Sequence, residues 1–366
     1  TSNRYCRTPD KTIHPRSEIV NGVTVKRIWR PNLNQSNHVL RLINAAWMQF
    51  FWLIRCVTSK KPDAYIVGTD PQFSQFMFPF LWLISPRSKR IHWCYDLYPE
   101  AIEADMKSRV VRGVSSFLKV LSKWSYRLVD VMVDIGPCMR ERLDKYNHKA
   151  EKHTLIPWAL SEPQKTMPPK TEIRHKNFGD CDLAILYSGN LGKAHEFEGF
   201  LTLARALRAQ NRSVSFAFSA SGNRLQELKN QLTQEDTNIR ILPFASIEEL
   251  EDRLLSADLH MMSLRAEWSG IVVPSKFFGT LASGRPVLYH GPENSAIFHW
   301  IKEFQTGLIL DTTDMDNTIT ALQELIDHPE KRTELNQNSL TAYQRNFSKD
   351  VILDKWNELL EHQLER

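Results

Sequence analysis

The chain has 366 residues, of which 42% are hydrophobic and 24% charged, with a formal net charge of +5. That is ordinary globular composition at a length that suits two domains. The mild positive balance suits an anionic small ligand or an anionic membrane surface, and no nucleic-acid partner is expected. The five cysteines, Cys6, Cys56, Cys94, Cys138 and Cys181, lie far apart. No pair has metal-ligand spacing, so reduced thiols in the cytoplasm are expected. The chain opens on Thr-Ser-Asn, with neither an initiator Met nor a signal peptide, and the true N-terminus is expected to be missing.

The first half alternates strands and helices. Val23 to Trp29 reads as a strand or hairpin arm, and Val39 to Val57 as a helix. Ala64 to Val67 is a buried strand that runs into Gly68-Thr69-Asp70-Pro71. Phe73 to Ile84 is predicted helical, and Arg90 to Tyr95 is a strand that ends at Asp96. Val110 to Leu128 is a helix with apolar residues at helical spacing, among them Val114, Phe117, Leu121 and Trp124. Strand Val129 to Ile135, helix Cys138 to Tyr146 and strand His153 to Ile156 follow. Such alternation implies a parallel sheet covered on both faces.

Two apolar runs, Val39 to Val57 and Phe76 to Ile84, are poor membrane spans. The first carries Arg41, Asn44, Gln49 and Arg55, and the second is too short. Each reads either as a core helix or as a peripheral membrane contact, in which Trp and Phe enter the interface beside Lys60, Lys61, Arg87, Lys89 and Arg90.

Ser161 to Lys170 is Pro-rich and polar, and reads as a linker. The pattern then repeats. Strands are predicted at Leu183 to Tyr187, Val214 to Phe218, Ile239 to Leu242, Leu259 to Ser263, from Pro286 onward, and at Gly307 to Leu310. Helices are predicted at Phe197 to Ala209, Leu225 to Leu232, Ile247 to Leu255, after Pro274, at Thr318 to Asp327, and through the C-terminus. The expected domains are residues 1–160, a linker 161–172, residues 173–346, and a last helix in 347–366. The default ligand site is the cleft between two such domains, at the carboxyl ends of strands.

Three segments carry chemistry. In VVPSKFFGTLASGRPVL, Val272 to Leu288, Pro274, Ser275 and Lys276 open a short helix that stops at Gly284. Free N–H groups and an ammonium there suit a phosphate. The alternative is a solvated lysine, although Lys is disfavoured at that helix end. After Leu183 to Tyr187 comes SGNLGKAHEF, where Gly189 and Gly192 allow tight turns beside Asn190, Lys193 and His195. Two anion sites in one domain suggest a diphosphate, as in a nucleotide-sugar. In SLRAEWSG, Glu267 reads either as an acceptor for sugar hydroxyls or as a solvent-facing loop residue.

In the first half, WCYDLYPE sets Asp96 and Glu100 past a strand end, with Thr69-Asp70 ending the preceding strand similarly. Asp96 reads either as a group that orients or deprotonates an acceptor hydroxyl or as a helix N-cap. Asp180-Cys-Asp182 looks like a metal motif but enters a strand at the end away from the cleft, so no metal is expected.

These segments together, with VPSKFFGTLASGRPVLYHGPENS and LIPWA, resemble bacterial glycosyltransferase family 4 enzymes of the GT-B fold. The likeness extends to the group that builds colanic acid, exopolysaccharide or O-antigen, and it covers nearly the whole chain. The resemblance implies an α/β architecture of two Rossmann-like, doubly wound domains facing a cleft, with the N-terminal one truncated. It implies retaining, metal-independent and cofactor-free transfer of a sugar from a nucleoside diphosphate to a lipid-linked or saccharide acceptor. The enzyme would be cytoplasmic, peripheral on the cytoplasmic face of the inner membrane. By the same resemblance Lys193 and Lys276 neutralise the leaving diphosphate. Gly189, Asn190, Gly192, His195, Arg265, Glu267, Gly270, Pro274 and Ser275 hold the donor, and Asp96, Asp70 and Glu100 lie on the acceptor side. Three departures stand out. Gly279 occupies a position where relatives often carry a Glu for the nucleotide ribose, Pro157 is followed directly by Trp158, and the family's first strand and Gly-rich loop are absent. The alternatives are a GT-B sugar-nucleotide 2-epimerase and a non-catalytic sugar-nucleotide-binding protein.

Overall fold

The computed structural model describes residues 14–33, 37–106, 108–158 and 171–365. The linker expected at Ser161 to Lys170 lies outside them. The chain divides into two compact units. One comprises Thr1–Asp134, Glu141–Thr154 and Glu361–Arg366; the other comprises Ile135–Arg140 and Leu155–Leu360.

In chain order the first elements are β1 (Ser17–Val20), β2 (Val23–Lys26), α1 (His38–Thr58), β3 (Ala64–Gly68), α2 (Phe78–Ile84) and β4 (Lys89–Trp93). They continue with α3 (Glu100–Asp105), α4 (Arg109–Tyr126), β5 (Val131–Asp134), α5 (Pro137–Asp144) and β6 (Glu151–Thr154). β1 and β2 pair as an antiparallel hairpin. Its turn is Asn21-Gly22 with both φ positive, which is what a two-residue hairpin turn requires. β3, β4, β5 and β6 form a parallel sheet in that order. Ile91, Val131 and Val133 are fully buried in it, as expected of strands covered on both faces. The helix expected from Phe73 is interrupted. Phe73 adopts φ 65°, Ser74–Met77 form a 3-10 turn, and α2 then starts with a proline in its first turn.

The second unit contains α6 (Thr171–Phe178), β7 (Leu183–Asn190), α7 (Glu198–Ala209), β8 (Val214–Ser221), α8 (Leu225–Gln231), β9 (Ile239–Leu242) and α9 (Ile247–Leu255). These are followed by β10 (Leu259–Ser263), α10 (Lys276–Ala282), β11 (Val287–His290), α11 (Ala296–Phe304), β12 (Gly307–Ile309), α12 (Met315–Asp327), α13 (Pro329–Ala342) and α14 (Lys349–Leu364), whose residues from Glu361 onward belong to the first unit. Six parallel strands run in the order β12-β11-β10-β7-β8-β9. Alternation along β7 builds both faces. Leu183, Ile185 and Tyr187 pack with Phe200, Phe216 and Phe218, while Ala184 and Leu186 pack with Phe178 and Ala217.

Three helices, α3, α6 and α11, escape the periodicity reading. α11 does carry a legible start, because Ser295 Oγ accepts the Phe298 N–H at 3.2 Å. α10 has seven residues, too few to be stable alone. Phe277, Phe278 and Leu281 are fully buried and pack with Trp300 and Phe347. Each such side chain contributes roughly 2–3 kcal/mol of burial, so tertiary packing holds the helix. It ends as expected at Gly284, with φ +60°.

Candidate functional site

β7 and β10 are neighbours at the point where the strand order of the second unit reverses. Ligands of open parallel sheets bind outside the carboxyl ends of the strands at such a point. The loops that leave these strands, residues 191–197 and 264–275, are tied together. The Arg265 N–H donates to the Ala194 carbonyl at 2.9 Å. Ser263 Oγ donates to the Glu196 carbonyl at 2.6 Å and accepts the Glu196 N–H at 3.1 Å.

His195 Nδ1 lies 2.7 Å from the Ser263 carbonyl. A carbonyl oxygen only accepts, so this nitrogen carries the proton. Burial, joined by the charges of Lys276 and Arg224, lowers the His195 pKa to about 3. The ring is neutral near pH 7, and Nε2 presents a lone pair. That suits a hydroxyl donor better than a phosphate, which shifts the role expected of His195.

Lys276 opens α10, and its ammonium lies 3.7 Å from the centre of the Tyr187 ring. Its Nζ is buried and has no hydrogen-bond partner, and burial holds its pKa well below the usual lysine value. The aromatic face recovers part of the lost hydration, but not the three hydrogen bonds an ammonium donates. An anion seated here restores them. Gly189, with φ +132°, occupies backbone space closed to other residues, and a Cβ on it would lie 3.9 Å from Lys276 Cδ.

Three features of this site were not singled out in the sequence. Gly222, just after β8, has φ +116°, and a Cβ there would fall 2.4 Å from Asn190 Oδ1 and 2.7 Å from the Leu191 carbonyl. A glycine straight after a buried strand was the available signal. Arg224, itself buried, donates to the His195 carbonyl at 2.6 Å, pairs with Glu198 and Glu227, and stacks 4.7 Å from the Phe197 ring centre. It thereby clamps the 191–197 loop. The third feature is the pair between Glu196 and His290 Nε2, with His290 Nδ1 3.0 Å from the Leu310 carbonyl. Both ring nitrogens face acceptors, which favours the imidazolium. Burial alone lowers the His290 pKa, but the hydrogen bonds to Glu196 and Leu310 outweigh it and the net direction is upward.

The other expected donor residues lie on the same two loops. Asn190 ends β7, and its carbonyl accepts the Tyr187 hydroxyl at 3.0 Å. Gly192 accepts the His195 N–H at 3.0 Å, and Lys193 is exposed. Glu267 sits half-buried in a 3-10 turn, Ala266–Trp268, between Arg265 and the buried Gly270. Pro274 is buried and accepts the Phe277 N–H at 3.1 Å, whereas Ser275 is exposed and makes no side-chain cap. Asp180 and Asp182 precede β7 at its amino end, and Asp180 faces His175 at 3.0 Å.

In the first unit, Asp70 and Asp96 follow the carboxyl ends of β3 and β4. Thr69 Oγ1 accepts the Tyr95 and Asp96 N–H groups at 3.1 and 3.2 Å, which joins the two strand ends. Asp96 is not a helix cap, because α3 starts at Glu100 after Pro99. Glu100 is buried and accepts the Tyr146 hydroxyl at 2.6 Å, and burial raises its pKa. Its place is interior, whereas Asp70 is exposed to solvent.

The family model described as Glycosyl transferases group 1 matches residues 169–341. The chain is a glycosyltransferase. The probable glycosyltransferase WbjE of Pseudomonas aeruginosa is 22% identical over 343 residues, covering 89% of this chain and 81% of that protein. Among solved structures, sucrose-phosphate synthase from Thermosynechococcus elongatus is similar with a TM-score of 0.71 at 13% identity, over 98% of this chain and 87% of that one. The catalytic domain of starch synthase IV from Arabidopsis thaliana, bound to ADP and acarbose, is similar with a TM-score of 0.64 at 13% identity, over 96% and 84%. The glycosyltransferase thus has the two-domain Rossmann-like architecture of the GT-B fold.

Proposed function

We propose that the protein transfers a sugar, with retention and without a metal, from a nucleoside-diphosphate-sugar to a lipid-linked acceptor in surface-polysaccharide assembly. The observation that carries the donor half is the buried, unpartnered ammonium of Lys276 at the strand-order reversal. In the reaction the bond from the anomeric carbon to the diphosphate breaks, and a bond from that carbon to the acceptor oxygen forms. The acceptor proton leaves with the diphosphate or to solvent.

Charge developing on the diphosphate meets Lys276, Lys193 and Arg265, so these groups act where the transition state needs them. The neutral His195 Nε2 and the Glu267 carboxylate accept hydroxyl hydrogen bonds from the sugar. Gly189 and Gly192 let backbone approach the phosphates, with Asn190, Gly270, Pro274 and Ser275 shaping the same two loops. Asp96 and Asp70 orient the acceptor hydroxyl. The likeness to the probable glycosyltransferase WbjE supports the transferase reading, and the sequence resemblance to the colanic-acid and exopolysaccharide group extends it to a family 4 enzyme that works peripherally at the cytoplasmic face of the inner membrane.

Thermal-shift titration with UDP-, GDP- and dTDP-sugars tests the donor half. At least one should raise the melting temperature of the wild type and leave Lys276→Met unmoved. A chain stabilised by none of them would contradict the reading.

A further inference from the structure

Helix α4 is turned inside out. A surface helix normally buries its apolar stripe and shows polar residues to water. Here Ser115, Ser122 and Ser125 face inward at 1%, 0% and 1% exposure. Ser122 Oγ accepts the Gln75 amide at 3.2 Å, and Ser125 bonds the Gln75 carbonyl. The apolar stripe Val110, Val114, Phe117, Leu121 and Trp124, spaced by four and three residues, points outward, with Phe117 63% and Trp124 69% exposed.

The stripe has neighbours. α2 packs against both α1 and α4. It exposes Phe80, Trp82 and Leu83, and α1 exposes Val39, Phe50, Ile54 and Val57. In the second unit the exposed large apolar residues, among those described, are Phe244 and Leu353 alone. An apolar surface gathered on one part of a molecule marks an interaction site.

Charge decides the occupant. α1, α2 and α4 contain no Asp or Glu, while α4 carries the exposed Arg109 and Arg112, α1 the exposed Arg55, and Arg87 follows α2. Apolar and aromatic side chains flanked by bases, with no acid on the three helices and Glu103 of α3 paired to Lys119 of α4, complement an anionic bilayer. No helix among the described residues is long and apolar enough to cross a membrane, so contact is at the surface.

We propose that the outer faces of α1, α2 and α4 seat the protein on an anionic phospholipid bilayer, with Phe117, Leu121 and Trp124 entering the interface. This rests on the membrane association proposed above, and gives it a surface and a lipid charge. The exposed bases contact headgroups, and the inward serines leave α4 free to present its apolar side.

Co-sedimentation of the full chain with vesicles tests it. Wild type should pellet with phosphatidylglycerol–phosphatidylethanolamine vesicles and stay soluble with phosphatidylcholine alone. The double variants Phe117→Ser/Trp124→Ser and Arg109→Glu/Arg112→Glu should each partition about tenfold less. Their circular dichroism melts should match wild type, since these side chains are exposed. Wild type that ignores anionic vesicles, or a Phe117→Ser/Trp124→Ser variant that pellets like wild type, overturns the proposal. So does a wild-type dimer by light scattering that this variant breaks without any vesicle binding, because a second copy would then cover the face. Sugar-nucleotide thermal shifts on the same samples keep the two readings apart. Donor stabilisation without vesicle binding sinks only the lipid face, and the converse sinks only the donor site.

Discussion

The ammonium of Lys276 rests over the ring of Tyr187, 3.7 Å from its centre, with no hydrogen-bond partner. A buried ammonium with only a π face beside it costs stability in the empty protein, and in the proposed donor complex the diphosphate would offset that cost. Lys276→Met keeps the stem and removes the charge. It should raise the melting stability of the free protein by about 1–2 kcal/mol while weakening donor binding at least about tenfold. Chemical denaturation and titration calorimetry, run on the same pair of proteins, check both signs. A variant that loses stability and keeps its affinity would remove Lys276 from the site.

Gly222 supports the loop from beneath. Its φ of +116° disfavours any side chain, and a Cβ would press on Asn190 Oδ1 and the Leu191 carbonyl. Gly222→Ala should cost about 2 kcal/mol or more through strain and displacement of the loop. Donor affinity should fall with it. Gly113 in α4 is the control, because a Cβ there meets nothing within 4 Å. Gly113→Ala should stabilise by about 0.5–1 kcal/mol, as an exposed helical glycine does. Urea melts of the two variants should move in opposite directions.

The strands were the most readable elements, because β7, β8 and β10 are short apolar runs bounded by turn residues. The two candidate loops were readable too, since Gly189 and Lys193 lie at the carboxyl end of β7 and Lys276 opens the helix that follows β10. Spacing alone could not reveal which way a stripe faces. Val114, Phe117 and Trp124 have the period of a core helix, and only the burial of Ser115 and Ser122 shows that α4 is reversed. Arg224 was hidden for a related reason. Its partners Glu198 and His195 are 26 and 29 residues away, and no local pattern joins them.

Removal of Arg224 should loosen the loop directly. Arg224→Met keeps the stacking on Phe197 but leaves the His195 carbonyl without its donor and Glu198 without its partner. Glu198 and Glu227 are both substantially exposed, so water offsets part of the loss. The expected destabilisation is about 1–3 kcal/mol, mostly from the unsatisfied carbonyl. Hydrogen exchange should rise across residues 191–197 and stay flat in β12. Unchanged protection of that loop would show that Arg224 does not hold it.

Acid should unfold the protein through buried neutral histidines. His92 and His260 are fully buried, and burial lowers each pKa to about 4, while His195 falls to about 3. In the unfolded chain all three titrate near 6.5. Between those values the unfolded state binds more protons than the folded one, so stability falls as pH falls. The full contribution is present above about 6.5 and shrinks towards about 4. His290 has the opposite sign. Its pKa is raised, so its contribution is complete below the unfolded value and is lost as pH climbs through the folded one. Urea midpoints measured from pH 4 to 8 should therefore climb steeply up to about 6.5. His260→Gln should flatten the acid limb, and His290→Gln should remove only a shallow decline on the alkaline side. A flat acid limb in the wild type would show that these rings are not held neutral.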